Sequence, residues 1–107
     1  MFIIIKSPGR EPEHRHNIKN SFKAIYKEID AERPAEIEIM PGIRMIYDAD
    51  SFAKSLAPCM TDGRAEKIYY GDVAFYAFDI KELKLRSLTE NEEKNVLNYI
   101  ASYRADK

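Results

Sequence analysis

The stretch from Ala35 to Asp48, AEIEIMPGIRMIYD, constrains this chain more than any other. Ala35, Ile37 and Ile39 alternate with Glu36 and Glu38, and beyond Pro41-Gly42 the alternation resumes at Ile43, Met45 and Tyr47. A period of two puts every second side chain on one face, so each run reads as a half-buried strand. Proline presets φ for the first central position of a type II turn, and glycine accepts the positive φ of the second. The stretch therefore reads as an antiparallel hairpin. Any fold this chain adopts must supply an apolar layer for one face of it.

The remaining segments supply that layer. Phe2 to Ile5 is a short apolar run flanked by Lys6, and Ser7-Pro8-Gly9 closes it, which reads as a buried strand. The run is too short for a signal-peptide core, roughly 7–15 residues, or for a membrane span of about 20. After Pro12, residues 13–18 read as a polar strand that makes a hairpin of the amino terminus. Phe22, Ile25, Tyr26 and Ile29 follow helical spacing, so a helix is expected over roughly 20–31, capped by Asn20 and stopped before Pro34. A short helix is expected near 49–56, with Phe52 and Leu56 facing inward, and a loop over 59–67. From Ile68 the chain is apolar on both faces, the mark of a central strand, with Gly71 as a bulge or turn. Thr89 and Glu92 form a capping box for a second helix over roughly 89–104, with Val96, Leu97, Ile100 and Tyr103 as its inner stripe. The expected fold is one α+β domain over 1–107, a largely antiparallel sheet of about four to five strands packed on two main helices. Ile4, Phe22, Ile39, Phe75 and Ile100 are its expected core.

Composition agrees and excludes several functions. The chain has 107 residues, 45% apolar and 33% charged, enough for one core and too few for two. Seventeen Lys and Arg against eighteen Asp and Glu leave a formal net charge of -1. Tight duplex binding draws most of its affinity from a basic excess, so no tight DNA binding is expected. Cys59 is the single cysteine, which rules out an internal disulfide and suits a reducing cytosol.

Few residues carry chemistry. His14 and His16, the two histidines, project to one face of a strand about 7 Å apart, a spacing that lets two imidazoles share a metal. Zinc needs two further ligands, and only Cys59, Asp62 or Glu13 offer themselves, with no spacing that ties them together. The expectation is a metal-free, cofactor-free protein, with the imidazoles solvated beside Arg15. Cys59 lacks an identifiable base and orienting acid, and reads as a packed hydrophobe. Ser7-Pro8-Gly9-Arg10 lacks the glycines of a phosphate cradle. Tyr69 and Tyr70 cannot both face inward, so one is expected at the surface near Arg64 and Lys67. The candidate interface residues are therefore Arg10, His14, Arg15, His16, Arg64, Tyr69 and Tyr70.

The order of these pieces carries a resemblance. A strand ends in Pro8-Gly9-Arg10-Glu11-Pro12, and a polar strand, a helix and a hairpin follow. Then come the Gly-interrupted run Tyr70-Gly71-Asp72-Val73-Ala74-Phe75 and the helix opening Ser87-Leu88-Thr89. This resembles a small domain family of bacteriophages, plasmids and mobile elements, especially of gut Firmicutes, from about residue 3 to residue 100. The resemblance implies a non-enzymatic accessory module of the bacterial cytoplasm that binds a host or phage protein. An anti-CRISPR-type inhibitor of a host defence nuclease is one such module. Two alternatives stay open: a weak nucleic-acid or small-ligand binder using Arg10, Arg15, Arg33, Arg64 and a tyrosine, and a metal-dependent enzyme using His14 and His16.

Overall fold

The computed structural model describes residues 1–54, 56–62 and 67–106. Its strands are β1 (Ile3–Lys6), β2 (Glu13–Arg15), β3 (Pro34–Met40), β4 (Ile43–Asp48), β5 (Pro58–Thr61), β6 (Ile68–Tyr70), β7 (Val73–Asp79) and β8 (Lys84–Arg86). The helices are α1 (Phe22–Glu28) and α2 (Glu90–Tyr103). Among the described residues six strands form one sheet in the order β2-β1-β7-β4-β3, with β8 also beside β7, while β5 and β6 pair separately. Every pairing is antiparallel. The α+β expectation holds, with a second small sheet added.

The large sheet is covered on both faces. Ile3, Ile5, Ile46, Ala74 and Tyr76 cluster with Ile25 of α1 and with Ile29 just beyond its end. Ile4, Ile43, Met45, Val73 and Phe75 meet α2 through Val96 and Ile100, together with Cys59, Met60 and Tyr69 of the small sheet. Burial on both faces explains the unbroken apolar runs of β1 and β7. Of the expected core, Ile4, Phe75 and Ile100 are buried, whereas Phe22 and Ile39 are only half-buried.

The β3–β4 hairpin turns at Pro41-Gly42 as expected, with Gly42 at φ 78°. Thr89 and Glu92 close the capping box in both directions, at 3.2 and 3.0 Å. Four expectations need correction. Ser21, not Asn20, caps α1, its hydroxyl accepting from the Ala24 N–H, while the Asn20 amide donates to the Leu85 carbonyl. That helix also stops at Glu28, because Asp30 takes a left-handed φ of 52°. Residues 49–54 form turns rather than a helix, and Phe52 and Leu56 lie outward, 72% and 42% exposed. The expected loop over 59–67 begins as β5, whose backbone is satisfied by β6 and by the tail residue Ala105, whose N–H donates to the Cys59 carbonyl. The run from Ile68 divides at Gly71, φ 77°, so that β6 and β7 serve different sheets.

Candidate functional site

The amino-terminal candidates sit along one sheet edge. β2 is the terminal strand beside β1, in the register Ile4 opposite His14. Arg15 is not free to grip a partner. Its guanidinium donates to Glu28 at 2.6 Å and Glu13 at 3.1 Å, tying β2 to the end of α1. The imidazoles are exposed, as expected, and also lie against Phe2. His16 stacks on Phe2 at 4.8 Å and His14 meets the same ring edge-on at 5.7 Å, with its Nε2 3.8 Å from Glu93. Arg10 is exposed in the turn after β1. Arg64 lies outside the described residues.

The proposed metal partners do not gather around the histidines. Cys59 is fully buried on β5, its thiol donating to the Lys6 carbonyl at 3.3 Å, and burial pushes that thiol up to about 12. A thiol held protonated in this way is a poor ligand or nucleophile. Among the described residues no group of three or more His, Cys, Asp or Glu is arranged to hold a metal ion.

The tyrosine pair on β6 resolves in one direction. Tyr69 is buried against Tyr47, with ring centroids 4.6 Å apart, and burial, aided by the charge of Asp62, lifts its phenol to about 12. It belongs to the core and is withdrawn as a surface anchor. Tyr70 is half-buried and packs against Phe52, with centroids 5.2 Å apart. Around it the structure gathers a patch that the sequence concealed. Phe52, Ile68 and Tyr70 line an open groove of about 310 Å³, while Tyr70 and Leu56 line a neighbouring one of about 270 Å³. Phe52, Leu56 and Ile68 all expose 40% or more of their surface. The rim carries both signs. Lys54 is paired to Asp48 at 2.7 Å, and Lys67 sits over the Tyr47 and Tyr69 rings at 5.1 Å.

Other clustered charges are structural. Lys6, which reads as the polar end of a strand, is wholly buried and donates to Asp106 at 2.5 Å and to the Ser7 carbonyl at 2.7 Å. Asp106 also accepts from the Gly9 N–H and from Arg104, and the Arg104 guanidinium holds its carboxyl well below the usual range. Tyr76 and Arg44 both donate to Glu36, at 2.8 and 2.7 Å. Arg86 grips Glu92 with both guanidinium ends, at 2.6 and 2.8 Å. The Lys6–Asp106 and Tyr76–Glu36 contacts join distant segments while Arg86–Glu92 is local, and a carboxylate already holding several donors has little left for a substrate.

Compared with known proteins, the chain matches no family model, no curated protein and no solved structure.

Proposed function

We propose that this chain is a non-enzymatic protein-binding module, an accessory domain of the phage and mobile-element kind that acts in the bacterial cytoplasm. Its partner is a host or phage protein, and occlusion of a CRISPR effector nuclease is the specific form tested first. One observation carries this reading. Phe52, Leu56, Ile68 and Tyr70 gather aromatic and aliphatic surface in one place, ringed by charge of both signs. Exposed apolar surface with a polar rim is the anatomy of a protein interface, and buried aromatic anchors supply most of the energy of such contacts.

Of the arginines of the nucleic-acid alternative, Arg15 is engaged by Glu28 and Glu13 and Arg33 meets Asp50, while Arg10 is exposed, which supports that reading less than the protein-binding one. Phosphate contacts need cations that are available. For the metal-enzyme alternative, His14 and His16 are exposed beside Phe2, and among the described residues no group of three or more His, Cys, Asp or Glu is arranged to hold a metal ion.

The test is DNA cleavage by a panel of purified CRISPR effectors, each with and without the protein, repeated with Phe52→Ser and Tyr70→Ser. Inhibition of one effector by the wild type, relieved by both substitutions at unchanged unfolding temperature, is the expected result. Normal cleavage throughout the panel refutes the inhibitor form. Binding of a purified partner unchanged by both substitutions refutes the patch.

A further inference from the structure

We infer that the tip of the β7–β8 hairpin docks on an anionic lipid surface, with Ile80 and Leu83 entering the headgroup layer and Lys19, Lys23, Lys81 and Lys84 meeting its phosphates. The hairpin turns over residues 80–83, between Asp79 and Lys84, which stand opposite each other in the register. The Asp79 carboxylate accepts from the Lys81 and Glu82 N–H groups at 3.0 and 3.2 Å, which fixes the turn. Ile80 and Leu83 are held out in solvent, 69% and 74% exposed. Leu83 also takes a left-handed φ of 54°. Glycine or asparagine suits that conformation, and a leucine there is strained. A residue that strains the fold and lends it little burial has its use outside the fold.

The charge around the tip selects the occupant. The start of α1 lies against the hairpin, where the Asn20 amide donates to the Leu85 carbonyl at 3.1 Å and the Phe22 and Phe78 rings stand 6.3 Å apart. That contact brings Lys19 and Lys23 to the same end of the sheet as Lys81 and Lys84, and all four are exposed. Lys84 pairs with Glu82 at 3.4 Å, while among the described residues no ion pair engages the other three. Four lysines against the carboxylates of Asp79 and Glu82 leave this group positive, although the whole chain carries -1. A lipid interface matches both features at once. Aliphatic side chains on a turn enter it without a shaped pocket, and lysine stems lie along it while the ammonium reaches the headgroups. A nucleic acid offers the lysines phosphates but no apolar layer for Ile80 and Leu83. Among the described residues no helix is long and apolar enough to cross a membrane, and surface docking requires none. The seven residues of β7 separate the tip from Tyr70, so this surface and the Phe52 patch are distinct.

The test is sedimentation of the intact protein with vesicles of equal parts phosphatidylcholine and phosphatidylglycerol, against vesicles of phosphatidylcholine alone. The expected result is binding to the mixed vesicles only, weakened by salt. Ile80→Ser and Leu83→Gly each weaken it about fivefold or more, and Lys81→Gln combined with Lys84→Gln does the same. Leu83→Gly also raises the unfolding temperature, which separates lost docking from lost folding. Phe52→Ser leaves sedimentation unchanged. Absence of binding to the mixed vesicles overturns the proposal, as does equal binding to the neutral ones, or binding indifferent to Ile80→Ser and Leu83→Gly. A single-stranded oligonucleotide or a poly-glutamate peptide that binds as tightly, unaffected by those two substitutions, assigns the lysines to a soluble polyanion and overturns it too. A lower unfolding temperature for Leu83→Gly also counts against it, because the leucine then serves the fold.

Discussion

Replacing Asp106 by Asn removes one charge and almost no volume, and it is the sharpest test of how the two ends of this chain are joined. Lys6 is wholly buried, and its ammonium has two partners, the Asp106 carboxylate and the Ser7 carbonyl. Asparagine keeps the shape and one acceptor oxygen but leaves the ammonium without a counter-charge. Removing one member of a buried ion pair costs about 3–5 kcal/mol, because the remaining charge stays desolvated. Arg104 also loses its carboxylate partner, which stood at 2.8 Å. Against a total stability of about 5–15 kcal/mol, this is a large fraction. At about 4 °C per kcal/mol for a domain of this size, the unfolding midpoint falls by roughly 12 °C or more. Thermal and urea unfolding followed by circular dichroism measure it. The partnered substitution Lys6→Met with Asp106→Asn removes both charges, so it is expected to be more stable than Asp106→Asn alone. A loss below about 1 kcal/mol for Asp106→Asn, or a double variant no better than the single, refutes the buried-charge reasoning.

Acid unfolding follows from two further carboxylates. Burial alone raises Asp48, but hydrogen bonds from Lys54 and from the Asp50 and Glu32 N–H groups outweigh it and bring it to about 2. Arg86, then the Thr89 N–H, hold Glu92 at about 2. Both folded values lie below the unfolded ones, so each contributes stability that is present above about pH 4.5 and lost as pH falls toward 2, on the order of 2 kcal/mol each. Denaturant midpoints across that window check it. Cys59 should resist alkylation by iodoacetamide in the native protein and react at once in urea, since its thiol is buried and held protonated. Gly71→Ala should cost about 1–2 kcal/mol, because alanine at φ 77° is strained and its Cβ would fall 2.6 Å from the Leu56 side chain. Tyr69→Ala should cost roughly 3–5 kcal/mol as a core truncation, while His14→Ala stays within about 1 kcal/mol, both read from unfolding midpoints.

What the sequence by itself determined was local. The β3–β4 hairpin, the Thr89–Glu92 capping box, the two-sided burial of β7 and the amino-terminal hairpin of β1 with the polar β2 all follow from spacings within a few residues. Period, turn chemistry and capping act over one turn or one strand, so the chain displays them openly. Tertiary structure alone decided the rest. Lys6 is buried because Asp106, a hundred positions away, folds back to meet it, and no local pattern announces that pairing. Tyr69 enters the core because β6 leaves the line of β7 at Gly71 and packs its ring on Tyr47. Phe52 and Leu56 satisfy a helical stripe on paper, yet residues 49–54 form turns instead, and among the described residues no element buries these two side chains. Apolar periodicity says which side chains seek cover. Whether another element arrives to provide it depends on the topology of the whole sheet, and the candidate surfaces of this protein lie where none does.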